Sequence, residues 1–376
     1  MVVNRSDEGI RSYLSGLDGL RCLAVLAVVV YHADPRLAPN GYVGVDIFFV
    51  LSGFLITRIL LSEHDATGRI RLSSFYLRRF LRLYPALFAM CFVVAVLAVV
   101  TGRNTASVLG ESAYALIYVS NIHYDLWGSS STLLFHTWTL ALEEQFYLVW
   151  PPLLLLALTL RRFGRVLRWL GYAALVVGSV ALLLVLAHAL GLTSYLRATG
   201  LLLGCALAIA VQRRAFLLPA WLGLTSCLLL VAVTFLPLTL PGGIFQNGYS
   251  PTALLTVPAI IATTDGSSAA ARALSWRPMI WVGRRSYGIY LWHFPILALA
   301  IHQAPQAIPA PARIVAGIVA AVVIAALSYR FVELPFLRLK NRYSPGLRLQ
   351  STSSRSKPSG MHSPSGLPEP EVRASN

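Results

Sequence analysis

The stretch LDGLRCLAVLAVVVYHADP carries Asp18, Arg21 and His32 in an otherwise apolar run. Arg21 and His32 are eleven residues apart. At about 100° and 1.5 Å per residue this is three helical turns, so the two side chains share one face about 16 Å apart along the axis. Asp18 lies one turn before Arg21, close to the same stripe. Histidine is a natural general base near neutral pH. The plainer role for Arg21 is to pair with Asp18 and reach for the interface. HTWTLALEEQFYLVWPPLL sets Glu143 beside Glu144 among Trp138, Phe146, Tyr147 and Trp150. Neighbouring helical residues point about 100° apart, so one of the two carboxylates faces a bundle interior.

Three further stretches have chemistry to offer. YLRRFLRLYP holds Arg78, Arg79 and Arg82. Arg79 and Arg82 are one turn apart and can face one anionic ligand, since arginine forks suit phosphate; topology alone also explains such a cluster. In GYVGVDIFFVLSGFLITRIL, Asp46 is suited to orient a histidine or to cap its helix, and Ser52 and Gly53 are small enough for another helix to approach. RRSYGIYLWHFPIL puts Tyr290 and His293 on one face, and YRFVELPFLRLK sets Glu333 one turn after Arg330, the spacing of a local ion pair. Ionisable groups in apolar segments are costly, which makes each a functional candidate.

The elements that position these residues follow from composition. The chain has 376 residues, 56% hydrophobic and 12% charged, against about 25% charged in soluble proteins. The deficit lies in long apolar runs, and a span needs about 20 such residues. Ten segments qualify: 16–33, 42–61, 85–102, 139–160, 169–190, 198–212, 216–236, 251–264, 286–303 and 313–331. The expected fold is an all-α polytopic transmembrane bundle of about ten spans. Segment 112–122, inside the 103–138 loop, reads as re-entrant or interfacial.

The net charge is +16. The arginines sit between apolar runs, so the charge reads as topology and contact with anionic lipid headgroups, with no nucleic-acid partner. With the N-terminus inside, cytoplasmic stretches carry 24 of the 31 Lys and Arg, and the outer loops only Arg36, Arg103, Arg197 and Arg313. This bias puts both termini in the cytoplasm of a multi-pass protein of the cell (inner) membrane. The expected organisation is a cytoplasmic segment 1–15, a transmembrane domain 16–340, and a disordered cytoplasmic tail 341–376. Residues 1–18 are polar, with no cleavable signal peptide. Cys22, Cys91, Cys205 and Cys227 show neither disulfide nor metal spacing. No internal repeat is visible.

In order, LDGLR…YH, GVDIFFVLSGFLI, RRFLRLYP, WTLALEEQFYLVWP, SYGIYLWHFPIL and VELP resemble the acyltransferase 3 family of membrane O-acyltransferases, over about Leu17 to Lys340. The family's arginine and histidine with ten residues between match Arg21 and His32. Its cytoplasmic arginine pair matches Arg79 and Arg82. The glutamate of its Trp-Ser-Leu segment matches Glu143, with Thr139 keeping the hydroxyl of the usual serine. The resemblance implies transfer of an acetyl or other short acyl group from cytoplasmic acyl-CoA, a co-substrate rather than a resident cofactor, to a hydroxyl. Acceptors in the family include cell-surface carbohydrates, O-antigens and macrolides. Some relatives carry an appended SGNH hydrolase-like domain; this chain ends about 45 residues after its last span and is expected to complete transfer within the membrane domain.

The expected division of labour is catalytic for His32, Glu143 and Arg21, with Arg79 and Arg82 on the acyl-CoA phosphates. Asp18, Asp46, Tyr290, His293 and Glu333 support them, and no metal takes part. His32 deprotonates the acceptor hydroxyl or carries the acyl group itself, and Glu143 orients His32. A transporter of a lipid-linked sugar or an anionic metabolite would use the same residue types. CoA-dependent acyl transfer in detergent separates the two readings.

Overall fold

Apolar runs become helices in lipid because a helix satisfies its own backbone N–H and C=O groups. A computed structural model describes residues 14–102, 104–128, 133–159, 164–213, 219–237, 251–264, 268–302, 305 and 307–342. The N-terminal segment to residue 13, Arg103, Arg161 with Arg162, and the tail from residue 343 lie outside the described residues. Among the described residues, all regular structure is helical.

The helices are α1 (Ser15–Ala33), α2 (Gly44–Thr67), α3 (Leu72–Thr101), α4 (Thr105–Leu116), α5 (Ser120–Trp127), α6 (Thr137–Thr159), α7 (Arg165–Leu190), α8 (Thr199–Arg213), α9 (Ala220–Phe235), α10 (Pro251–Thr264), α11 (Ala269–Leu274), α12 (Arg277–Arg284), α13 (Ser286–His302), α14 (Ala310–Ser328) and α15 (Leu334–Arg342). A π-helical turn, Tyr329–Glu333, joins the last two. The described part of each of the ten expected segments falls on helical structure. Six helical stretches are long and apolar enough to cross a membrane: Ser15–Ala33, Gly41–Thr67, Leu72–Thr101, Leu170–Leu190, Thr193–Gln212 and Ala310–Lys340. Shorter apolar helices run through α9, α10 and α13. The protein is an all-helical, multi-pass membrane protein.

Two boundaries differ from expectation. α3 begins at Leu72 rather than at residue 85 and runs through Pro85. A proline forgoes one hydrogen bond, here to the Leu81 carbonyl, and inside a long packed helix it need not end it. Arg78, Arg79 and Arg82 therefore stand on α3 itself, ahead of the expected span. Segment 112–122 is divided between α4 and α5, which have 12 and 8 residues. The chain breaks at Tyr118, whose φ of 56° is left-handed.

α1 and α2 form the interior, burying Leu20, Val25, Val28, Phe49, Leu51 and Phe54. α7 and α14 turn Val177, Leu182, Val185, Val315, Val319 and Val323 outward, as lipid-facing helices do. α2 and α8 pack backbone to backbone: a Cβ on Gly53 would strike the Leu201 carbonyl, and one on Gly204 the Val50 carbonyl. Small residues permit such approach. Gly53 fills the expected packing role; Ser52, its neighbour, faces α6 and donates its hydroxyl to Glu143. Asp34 and Pro35 end α1, and Arg36 grips the Asp34 carboxylate through Nε at 2.9 Å and Nη2 at 2.8 Å. That guanidinium holds the half-buried Asp34 carboxyl below the usual carboxylate range.

Candidate active site

α1, α6 and α13 bring three imidazoles together. His32, in the last turn of α1, points Nδ1 at the Val28 carbonyl (3.0 Å) and at His293 Nε2 (3.2 Å). His293 is fully buried and turns its own Nδ1 to the Tyr290 carbonyl. A carbonyl only accepts, so each nitrogen facing one carries the hydrogen when the ring is neutral. His293 Nε2 is then a lone pair receiving the Nδ1–H of His32. His32 Nε2 is left as the basic nitrogen. The third ring is His136, just before α6. Its Nε2 lies 3.0 Å from the Leu291 carbonyl, and its centroid is 5.6 Å from that of His293. Phe294 packs against both His32 and His136 at 5.0 and 5.1 Å. Tyr290 seals the inner side: its hydroxyl is 2.7 Å from Thr139 Oγ1 and 3.3 Å from the His136 carbonyl.

Glu143 does not touch His32. One turn below Thr139 on α6, it accepts Ser52 Oγ–H at 2.9 Å and the Tyr147 hydroxyl at 3.3 Å. The orienting partner of His32 is His293 instead. The reason is distance along α6: Glu143 is two turns beyond His136, about 10 Å away from the histidine level. Glu143 lies within electrostatic reach of Tyr290 on one side and of Arg79 and Arg21 on the other. It sits midway along the polar seam.

The far end is cationic. Arg79 stacks on the Tyr147 ring, Cζ 3.6 Å from the centroid, and its Nη2 is 3.8 Å from Glu144 Oε1. Arg78 is held by Glu63 at 3.3 Å, a structural pairing. Arg82 has no salt bridge among the described residues; Arg21, Arg79 and Glu333 act on it electrostatically. Lys340 of α15 joins Arg78, Arg79 and Arg82 in the same cluster. Glu333 is buried on the π-helical turn and faces Arg82 and Arg285. The expected Arg330–Glu333 ion pair does not form, because the π turn changes the angular step that would align them. Arg330 lies over Phe331 instead.

The two remaining acids are elsewhere. Asp18 pairs with Arg21 (3.9 Å), as expected, and with Arg284 (3.5 Å), tying α12 to α1. Asp46 is buried, neither capping α2 nor reaching a histidine: it pairs with Arg197 at 3.6 Å and accepts Thr252 Oγ1–H at 3.4 Å. His136, Tyr147, Arg285 and Lys340 join the site without having been singled out. The signal for the first two was present on α6. His136, Thr139, Glu143, Tyr147 and Trp150 recur at spacings of three and four, one continuous face of a helix.

An all-helical membrane protein with a polar seam running between a histidine cluster and an arginine cluster is the class that fold and site define. A family model described as an acyltransferase domain matches residues 14–330. The peptidoglycan O-acetyltransferase OatA of Listeria monocytogenes is 35% identical over 372 residues, covering 89% of this chain and 57% of its own length. The putative peptidoglycan O-acetyltransferase YrhL of Bacillus subtilis is 35% identical over 349 residues (86% and 55%), and the O-acetyltransferase OatA of Staphylococcus aureus 33% over 348 (86% and 57%). The chain spans little more than half the length of these relatives. No solved structure matches it. The chain belongs to the acyltransferase 3 family and carries its acyltransferase domain.

Proposed function

We propose that this protein is an O-acyltransferase that moves an acetyl or other short acyl group from acyl-CoA to a carbohydrate hydroxyl. The observation that carries this is the seam itself. Cations suited to phosphates stand at one end, around Arg82 and within electrostatic reach of Arg21, and the hydrogen-bonded His32–His293 pair stands at the other, with His32 about 16 Å from Arg21 along α1. With ten spans and cytoplasmic termini, the arginine end faces the acyl-CoA pool and the histidine end faces outward. The names of the relatives favour a peptidoglycan sugar as the acceptor. Arg82, Arg79 and Lys340 bind the donor phosphates, and the pantetheine arm runs along Tyr147 and Glu143 toward the histidines.

In the reaction, His32 Nε2 takes the proton of the acceptor hydroxyl as its oxygen attacks the thioester carbonyl. The C–S bond breaks, an ester C–O bond remains, and His32 returns the proton to the departing CoA thiolate. His293 accepts the Nδ1–H of His32 throughout, keeping the ring in the productive tautomer and stabilising the imidazolium, the orienting logic of a triad. Arg21, at the inner level of the seam, balances the Glu143 carboxylate.

The test is His32→Ala in membranes supplied with labelled acetyl-CoA and peptidoglycan fragments. Removing the base should lower the rate about 10²–10⁴-fold. Transfer near the wild-type rate at equal protein abundance would remove His32 from the chemistry.

A further inference from the structure

Pro295 sits inside α13. It has no N–H, so the helical bond from residue 295 back to the Leu291 carbonyl cannot form. The His136 side chain supplies the missing donor: its Nε2 lies 3.0 Å from that oxygen. Because a carbonyl only accepts, Nε2 carries the hydrogen and Nδ1 of the neutral ring is a lone pair. That Nδ1 is enclosed, on a residue 1% exposed, and has no hydrogen-bond partner among the described residues. Buried acceptors are seldom left unfilled. This one is surrounded by the rings that hold the base. His293 is 5.6 Å away, and Phe294 stacks on His136 at 25° while meeting His32 edge-on.

We propose that His136 Nδ1 accepts a hydrogen bond from an O–H or N–H group that a substrate brings into the histidine cluster. This rests on the acyltransfer reading above. Two sources carry such a donor beside the reacting carbonyl: a hydroxyl of the carbohydrate acceptor, and the pantetheine amide two carbons from the thioester sulfur. Phe294 is the half-buried ring that packs against both His32 and His136. His136 thereby has two duties on its two nitrogens, one to the fold and one to the substrate.

Two isosteric substitutions separate the duties. His136→Gln keeps an amide N–H where Nε2 donates to Leu291 but has no acceptor at the Nδ1 position. His136→Asn keeps an oxygen near Nδ1 but cannot reach Leu291. Purified full-length protein is assayed for transfer from acetyl-CoA to peptidoglycan fragments, with melting followed in detergent. The expectation is that His136→Gln melts like wild type yet loses about 10–100-fold in kcat/KM. His136→Asn should melt lower but retain more activity per folded molecule. A rise in KM for the carbohydrate identifies the hydroxyl as the group bound, and a rise in KM for acetyl-CoA identifies the amide.

If His136→Gln fails to fold, Pro295→Ala provides the second route. It restores a backbone donor to Leu291, so His136→Gln in that background removes Nδ1 without the Leu291 carbonyl depending on the side chain, and the same loss is expected. Wild-type kcat/KM in His136→Gln, or in the double variant relative to Pro295→Ala, would overturn the inference while wild-type transfer upholds the parent reading. Absence of any transfer by the wild type overturns both.

Discussion

Arg79 is expected to matter to the fold as much as to the donor, and Arg79→Gln tests this. Its guanidinium stacks on Tyr147 at 3.6 Å and pairs with Glu144 at 3.8 Å, beside Glu143. Removing one member of a buried ion pair costs about 3–5 kcal/mol, because the other charge is left unpaired. The two side chains are 17% and 20% exposed, so water screens part of that loss and the lower end, about 3 kcal/mol, is the better figure. Lost stacking adds about 0.5–2 kcal/mol. Soluble domains of 150–250 residues lose about 2–4 °C in Tm per kcal/mol. The expected fall in detergent is therefore about 7–20 °C by scanning fluorimetry. Arg79→Gln combined with Glu144→Gln leaves no bare charge and should recover most of it, with a coupling of about 1–3 kcal/mol in the double-mutant cycle. An additive cycle, or Arg79→Gln melting like wild type, would refute the claim that this pair joins α3 to α6.

Arg82 is the cleaner probe of the donor site, since no carboxylate salt-bridges it among the described residues. Arg82→Gln should leave Tm nearly unchanged and raise the KM for acetyl-CoA about tenfold, the loss of one charge-assisted phosphate contact; an unchanged KM would assign the cluster to topology alone. Gly53→Ala should drive a methyl into the Leu201 carbonyl and cost at least about 1–3 kcal/mol by overpacking. Reduced recovery of monodisperse protein by size-exclusion chromatography would show it, and wild-type yield would contradict the close α2–α8 contact.

Much of this protein is written in one dimension. A helix in lipid must close its own hydrogen bonds, so a run of about 20 apolar residues is already a structural statement. The described part of every expected segment is accordingly helical, and the three-turn spacing of Arg21 and His32 holds on α1. Local spacing is insufficient in two places: the span expected from residue 85 is the later part of a helix that begins at Leu72, and the i,i+3 spacing of Arg330 and Glu333 gives no ion pair across the π-helical turn.

Partnership across helices was another matter. Sequence spacing says which residues share a face, not which face another helix presents to it. Glu143 was matched to His32 on chemical grounds, yet the axial offset of α6 delivers it to Ser52 and Tyr147. His293 from α13 arrives at His32 instead. Asp46 found Arg197, 151 residues away in the chain, for the same reason. His136 shows the division most clearly. Its stripe on α6 was visible, but its task depends on a carbonyl that Pro295 frees on a different helix. Residue types and helices come from local sequence; the pairing of donor with acceptor comes from the packing of α1, α6 and α13, because hydrogen bonds are decided by a few ångströms that only the assembled bundle fixes.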